Sequence, residues 1–260
     1  MNIFKNNKII YILLISIISL NNLKGFASET QQQLFEKANK EYSNTNYKEA
    51  INTYQQILLT GKASSEIYYN LGNAYFKTSN FPSALLFYEK ARRLDPSNDD
   101  INFNIRLTNT KIVDKIEAIP EIFFIRWLKA IYGICSTDKW AKITIAFSFL
   151  IFFSLSIYLL AKNILFKRIA IWVAFSFLFL TVFGFIAANN QYNNAVKKKE
   201  AIMFSPSVTV KSSPDDNSTD LFQIHEGTKV SVIDMVDKWD EIKLANGNVG
   251  WVKSETLEII

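Results

Sequence analysis

The sequence predicts a multi-domain membrane protein that combines α-helical repeats, a two-helix transmembrane hairpin and a C-terminal all-β barrel. Three observations lead to this prediction: an internal repeat before residue 119, two charge-free apolar runs over residues 143–161 and 169–188, and short strand-like segments from residue 201 onward. A helix of about 20 apolar residues spans a hydrocarbon core of about 30 Å. Neither run shows a polar stripe at helical spacing, which disfavours the alternative of a buried helix pair in a soluble protein.

The N-terminal residues 1–27 have the composition of a secretory signal peptide. Lysines precede an apolar run over residues 9–20, and the small residues Gly25 and Ala27 fit a signal peptidase site with cleavage after Ala27. If this run stays uncleaved as an anchor, the residues after it are still exported. A hairpin enters and leaves a membrane on one side. We therefore expect a multi-pass protein of the bacterial cytoplasmic (inner) membrane, with both flanking parts extracytoplasmic.

Domain boundaries follow from these features. Lys162, Lys167 and Arg168 lie between the two apolar runs and fit the positive-inside tendency, although lysines also flank the hairpin on the predicted outer side. The expected order is a signal peptide 1–27, helical repeats with a capping helix 28–119, an amphipathic juxtamembrane helix 120–139, transmembrane helix 140–161, a cytoplasmic loop 162–168, transmembrane helix 169–188, a linker 189–200 and a β domain 201–260.

Composition argues against several classes of function. The formal net charge is +5, but the lysines are spread along the chain or flank the apolar runs, so we expect contact with lipid headgroups and no nucleic acid. Cys135 is the sole cysteine, which excludes an intrachain disulfide and a cysteine-based zinc or redox site. His225 is the sole histidine and falls in a predicted strand, where we do not expect a catalytic triad. No enzymatic activity, metal or cofactor is predicted.

Residues 65–98 carry an internal repeat with a period of 34 residues. They resemble a tetratricopeptide repeat, with Tyr68 in place of the usual tryptophan and with these signature positions: Leu71, Gly72, Tyr75, Ala84, Tyr88, Ala91 and Pro96. An earlier copy over residues 31–64 is weaker and has Ala38 in the glycine position. Residues 99–116 continue as a predicted helix that caps the stack, because two repeats alone leave an apolar face open.

The resemblance implies a concave groove lined by the first helix of each repeat, which binds an extended segment of a protein partner. The candidate groove residues are Phe35, Asn39, Tyr42, Tyr69, Asn73 and Phe76. The alternative is that these side chains serve ordinary packing between helices. Some such domains bind a C-terminal carboxylate through lysine and arginine, but here Phe35, Asp100 and Asn104 occupy the cationic positions. We therefore predict that this groove does not bind C-terminal carboxylates.

Residues 121–135 have aromatic and aliphatic side chains at helical spacing, with Arg126 and Lys129 between them. Phe123, Phe124 and Trp127 belong to this apolar face. The pattern is typical of an amphipathic helix in the headgroup layer of a bilayer. Packing of this helix against the repeats is the alternative.

The C-terminal segments indicate seven short strands, over residues 202–204, 207–210, 221–224, 229–233, 239–244, 248–253 and 257–260. Asn246 and Gly247 form the clearest hairpin turn. The region resembles bacterial SH3-like domains at these positions: Val208, Val210, Pro214, Gly227, Trp239, Gly247, Gly250, Trp251 and Val252. That resemblance implies binding of peptides or of cell-wall peptidoglycan. Trp239 and Trp251 are the candidate binding surface, but both could equally be core, and core is favoured for Trp251.

The complete order of segments resembles the BatE proteins of the Bacteroides aerotolerance operon. This resemblance implies a non-enzymatic inner-membrane component in envelope homeostasis or stress tolerance. It also implies partners among membrane or periplasmic proteins, including von Willebrand A domain proteins and a MoxR-type ATPase. We accordingly expect a scaffold held at the lipid bilayer. The alternative is a cell-wall sensor that binds peptidoglycan through the SH3-like domain.

Overall fold

The computed structural model describes residues 31–120, 122–193 and 199–260. The predicted signal peptide 1–27 lies outside the described residues, as do residues 28–30, Glu121 and residues 194–198 of the predicted linker. Helical repeats come first, followed by two long apolar helices and an antiparallel β domain.

Five helices build the repeat domain. They are α1 over residues 31–43, α2 Tyr47–Leu59, α3 Ser65–Lys77, α4 Phe81–Leu94 and α5 Asp99–Asn109. Side-chain caps begin three of them: the Ser64 hydroxyl accepts the Ile67 N–H before α3, and Asn80 and Asn98 act in the same way before α4 and α5. The caps supply acceptors for otherwise unpaired first-turn N–H groups.

Close packing within the second repeat depends on Gly72. A methyl group added at this glycine would lie 2.7 Å from the ring of Tyr88, so α3 and α4 approach too closely for a larger side chain. Ile101 and Ile105 of α5 complete the same apolar core, which confirms a capping role for the third helix.

The capping helix is shorter than predicted. It ends at Asn109, and the prediction of a helix through residue 116 is wrong. Beyond it the chain runs along the β domain, where Ile112 is buried against Gly227 and the carboxylate of Asp114 accepts three hydrogen bonds. These contacts replace the helical bonds that residues 110–116 would have made.

Helix α6 spans Phe123–Tyr132 and leaves its apolar residues uncovered. The exposed fractions of Phe123 and Trp127 are 76% and 66%. These side chains do not pack against the repeats, which argues against the packing alternative for this helix.

Two long apolar helices follow, α7 Thr137–Leu160 and α8 Ile164–Tyr192, and both are long and apolar enough to cross a membrane by length and composition. They pack side by side through small residues that are buried between them: Ser154, Ala170, Ala174, Gly184 and Ala187. Helix α8 begins before the predicted span because the Asn163 side chain accepts the Leu165 N–H and caps it. Residues 164–168 of the predicted loop are therefore helical.

Seven strands form the β domain, in agreement with the predicted number. They are β1 Glu200–Met203, β2 Ser207–Lys211, β3 Asp220–His225, β4 Lys229–Val236, β5 Trp239–Lys243, β6 Val249–Lys253 and β7 Leu257–Ile259. All pairs are antiparallel, in the order β3-β2-β6-β5-β4-β1-β7. The described strands form an open sheet, with β3 and β7 at its edges, so a closed barrel is not confirmed. Gly247 has a φ of +90° in the turn between β5 and β6, as the predicted hairpin requires.

The β domain packs against the repeat domain through α4. Ile202 of β1 and Ile260 share one apolar core with Leu85 and Tyr88 of α4. At the rim of this contact, the Lys229 ammonium lies 3.0 Å from a carboxylate oxygen of Glu89 and 2.7 Å from one of Glu200. The two domains therefore share a core and an ion-pair network.

Candidate functional site

The candidate groove of the repeat domain rests on an asparagine–tyrosine pair that recurs in both repeats. The Tyr54 hydroxyl donates to Asn39 Oδ1, and one repeat later the Tyr88 hydroxyl donates to Asn73 Oδ1 at 2.7 Å. Each pair joins the first and second helix of its own repeat. The four residues are separated by the period of 34 that the sequence predicts.

A second asparagine extends each pair to the following repeat. Asn70 Nδ2 donates to Asn39 Oδ1 at 3.2 Å, and Asn104 Nδ2 donates to Asn73 Oδ1 at 2.9 Å. Both predicted site asparagines thus accept two hydrogen bonds from within the domain. Their amide oxygens position the helices, and this is the role of Asn39 and Asn73 that the geometry supports.

Burial controls the tyrosine members of this network. Desolvation raises the pKa of Tyr54 to about 12 and also raises the pKa of Tyr88. Both hydroxyls therefore remain protonated at neutral pH and act as hydrogen-bond donors to the asparagine oxygens. A buried hydroxyl without such an acceptor would be destabilising.

The four predicted groove aromatics are half-buried and each contacts a ring of the following helix. Their ring-centroid distances are 6.2 Å for Phe35–Tyr54, 5.2 Å for Tyr42–Tyr47, 5.9 Å for Tyr69–Tyr88 and 5.5 Å for Phe76–Phe81. Each ring therefore packs between helices and also leaves part of its surface accessible. The two interpretations of these aromatics from sequence are compatible.

Phe103 of α5 is a groove residue that the sequence reasoning missed. It lies one repeat length after Tyr69, and 56% of its surface is exposed. The spacing of 34 residues from Phe35 to Tyr69 and on to Phe103 is the signal that could have found it. Its exposed ring extends the aromatic surface onto the capping helix.

Acidic residues surround the start of the groove helices. Glu66 lies in the first turn of α3, and Asp99 and Asp100 lie in the first turn of α5. Asn104, at a position where a carboxylate-binding groove needs a cation, donates to Asn73 and to the Tyr69 hydroxyl. These features disfavour a partner carboxylate, and the absence of C-terminal carboxylate binding stays a prediction.

A second candidate site lies on the β domain around Trp239. This half-buried ring lines a pocket of about 240 Å³ together with hydroxyl groups of Ser207, Thr209 and Thr256. The Lys253 ammonium lies over the ring, 5.7 Å from its centroid, and 2.9 Å from a carboxylate oxygen of Asp216. The hydrogen bond to Asp216 raises the pKa of Lys253, so this ammonium is charged at neutral pH. An aromatic face beside polar groups suits a ligand that has both apolar and hydrogen-bonding surface.

Trp251 occupies the outer face of the same sheet. Gly250 and Val252 on either side of it are buried, and side chains alternate between the faces of a strand, so the preference for Trp251 as a core residue is wrong. Trp251 pairs with Glu241, two positions from Trp239 on the neighbouring strand. The two tryptophans share a face, but Trp239 alone of the two lines the pocket.

Comparison with known proteins identifies two modules in the chain. Residues 65–98 match the family model of the tetratricopeptide repeat, and residues 206–258 match the model of the bacterial SH3 domain. A comparison with curated proteins gives no match. Both modules are associated with binding, either to other proteins or to the cell wall. The chain thus combines a tetratricopeptide repeat with a bacterial SH3 domain and carries two apolar helices between them.

Proposed function

We propose that this protein is a non-enzymatic, membrane-anchored scaffold that recruits protein partners through its repeat groove. The observation that carries the proposal is the series of accessible aromatic rings at equivalent positions of successive helices, which ends at the exposed ring of Phe103. Large aromatic side chains supply much of the binding energy at protein interfaces. The asparagine–tyrosine bonds beneath them hold the surface in one conformation before a partner binds.

The hairpin anchors the scaffold in the bacterial inner membrane. Its outward-facing surface is formed by large apolar side chains, including Phe149, Phe153, Trp172 and Phe179, whose exposure in water would be unfavourable. The exposed aromatic face of α6 lies beside it and enters the headgroup layer. With the predicted signal peptide, this arrangement keeps the repeats and the SH3 domain outside the cytoplasm.

Docking of the two modules gives the scaffold two binding surfaces in fixed relation. Linking two sites raises the overall affinity by about 10² to 10⁴ when both can be engaged at once. The shared core around α4 and β1 supports this fixed geometry. Together with the resemblance to BatE proteins, it favours membrane or periplasmic partners, with von Willebrand A domain proteins as the first candidates, in a role in envelope homeostasis or aerotolerance.

Crosslinking in living cells, followed by purification in mild detergent, tests the recruitment of partners by the groove. Phe103→Glu places a charge on the aromatic surface, and the matched control Leu59→Glu places the same charge on a residue of α2 that is 86% exposed. We expect a defined membrane protein to be lost from Phe103→Glu and kept in Leu59→Glu. Identical sets of proteins from the wild type and both variants would contradict the groove hypothesis.

A cell-wall sensor is the second candidate function, and the pocket at Trp239 favours it. Purified peptidoglycan sacculi, mixed with the full protein in detergent, separate the two functions. Retention that is lost in Trp239→Ala and kept in Trp251→Ala would support the sensor, because only the first tryptophan lines the pocket. If the wild type is not retained, the scaffold remains the supported function.

A further inference from the structure

A cavity of about 270 Å³ lies where the repeat domain, α6 and the hairpin meet. We name it the mouth cavity, and the wall residues used below are Arg92, Arg93, Lys129, Ser136, Thr137 and Gln191. Helix α7 begins at Thr137 and α8 ends at Tyr192, so the cavity lies at one end of both apolar helices. If the hairpin spans a membrane, as the proposed function holds, this is the level of the lipid headgroups.

The wall of the mouth cavity carries an excess of positive charge. Arg92, Arg93 and Lys129 contribute cations, and the carboxylates of the wall are those of Glu89 and Glu200. Lys229 approaches both carboxylates from the β domain, at 3.0 Å and 2.7 Å. Because Lys229 already offsets much of their charge, the basic side chains of the wall are left to attract an anion.

Hydrogen bonds fix the hairpin side of the cavity. Gln191 Nε2 of α8 donates to the main-chain oxygens of Tyr132 at 2.7 Å and of Cys135 at 3.3 Å. The indole N–H of Trp140 donates to the same Tyr132 oxygen at 2.9 Å. The end of α6, the start of α7 and the end of α8 are thereby held together. A site on such a fixed frame needs little rearrangement to bind a ligand.

We propose that the mouth cavity binds the phosphate headgroup of an anionic phospholipid, with Arg92 and Lys129 as its charged contacts. Guanidinium groups bind phosphate oxygens in a bidentate manner, and basic pockets beside membrane helices recognise acidic headgroups. The hydroxyls of Ser136 and Thr137 line the same space, and the Ser136 side chain makes no capping bond to α7. Lys129 lies on α6, whose exposed Phe123 and Trp127 face the layer where acyl chains begin.

Lipid selectivity in reconstituted vesicles tests this site. The full protein is placed in phosphatidylcholine vesicles that contain spin-labelled phosphatidylglycerol or spin-labelled phosphatidylcholine, and the motionally restricted fraction of each label is measured. We expect the wild type to prefer phosphatidylglycerol. Lys129→Gln should lower that preference about fivefold, and Arg92→Gln with Lys129→Gln should abolish it. Arg126→Gln is the matched control, because it removes one charge from α6 outside the cavity wall.

Three results would overturn the proposal. The first is an absence of selectivity in the wild type, and the second is an equal loss in Arg126→Gln and Lys129→Gln, which would indicate general surface charge. The third is full displacement of the labelled phosphatidylglycerol by inorganic phosphate, which would assign the site to a soluble anion. Alkaline carbonate extraction of the same vesicles tests the anchorage separately. Protein that stays in the membrane without lipid selectivity contradicts the lipid site alone, whereas extracted protein contradicts the anchored scaffold as well.

Discussion

Individual asparagines in the repeat domain connect buried tyrosines to neighbouring helices. Tyr54 and Tyr88 are each only 1% exposed, so water cannot satisfy their hydroxyl groups. Asn39 and Asn73 provide the acceptors, and the same oxygens also receive an amide N–H from the next repeat. One side chain thus joins three helices, which explains why these asparagines contribute to the groove mainly by shaping it.

Replacing Asn73 with alanine should destabilise the second repeat. The change removes the acceptor of both the Tyr88 hydroxyl and the Asn104 amide, and an unsatisfied buried polar group costs about 1–3 kcal/mol. Hydrogen exchange of the α3 and α4 amides, followed by mass spectrometry, measures this loss as faster local opening.

The control for this prediction is Asn52→Ala, because Asn52 lies on the exposed side of α2. A surface substitution of this kind changes stability by less than about 0.5 kcal/mol. Equal exchange in α3 and α4 for Asn73→Ala and the wild type would contradict the structural role of the asparagine.

At the scale of elements, the two apolar helices pack through small side chains and leave their large ones outside. Ala174, Gly184 and Ala187 of α8 are buried against α7, and Phe147 of α7 stacks on Phe177 of α8 at 5.9 Å. Small residues allow the two backbones to approach, so dispersion contacts extend along the pair. The outward-facing residues match the apolar environment that the scaffold hypothesis assigns to them.

Gly184→Val should weaken the hairpin. A Cβ atom at this position would lie 2.5 Å from Thr144 Oγ1, so the helices must separate or the threonine must move. We expect a lower melting midpoint for the detergent-solubilised protein, with a loss of about 1–3 kcal/mol from overpacking.

Ser176→Val provides the comparison for Gly184→Val, because Ser176 lies on the exposed side of α8 and the new side chain meets no neighbouring helix. Its melting midpoint should stay near that of the wild type. If both variants melted at the same temperature, close approach at Gly184 would not hold the hairpin together.

At the scale of the whole molecule, the repeat and β domains are locked together by contacts between distant parts of the sequence. The Asp114 carboxylate accepts the main-chain N–H of His225 at 2.7 Å and the Thr228 hydroxyl at 2.6 Å, and it lies 2.8 Å from His225 Nδ1. Ile112 fills the space above Gly227 beside this cluster. The segment after α5 thereby fixes the position of the SH3 domain.

The docking of the two domains should weaken at low pH. Burial by itself raises the pKa of Asp114, but hydrogen bonds from Thr228 and His225 outweigh it and hold the pKa below its ordinary value of 3.8. A carboxylate with a lowered pKa stabilises the folded state above its unfolded pKa, and this stabilisation is lost as the pH falls through the folded pKa. We therefore expect constant docking at neutral pH and weaker docking only at a pH below about 4.

Distance measurements between spin labels on α3 and β2 follow this docking as the pH changes. Asp114→Asn should broaden the distance distribution already at neutral pH and remove the contribution of Asp114 to the acid transition. Any transition that remains in this variant reports on Glu89 and Glu200, which belong to the same interface. A narrow, unchanged distribution for Asp114→Asn at neutral pH would contradict the proposed lock.

The sequence by itself determined the local elements of this protein, because each depends on a periodic pattern of neighbouring residues. The period of 34 gave the repeats, the charge-free runs gave α7 and α8, and alternation with turn residues such as Asn246 and Gly247 gave the strands. The same period also located the groove aromatics, since equivalent positions in successive repeats share one surface.

Tertiary structure alone decided how these elements meet. Asp114 and His225 are 111 positions apart, and no periodicity relates them, so the early end of α5 and the docking of the β domain could not be predicted. Trp251 faces outward because of the register of β6 against β5, which one residue of shift would have reversed. Such features depend on contacts between distant residues, and a local pattern carries no information about which distant residue will be the neighbour.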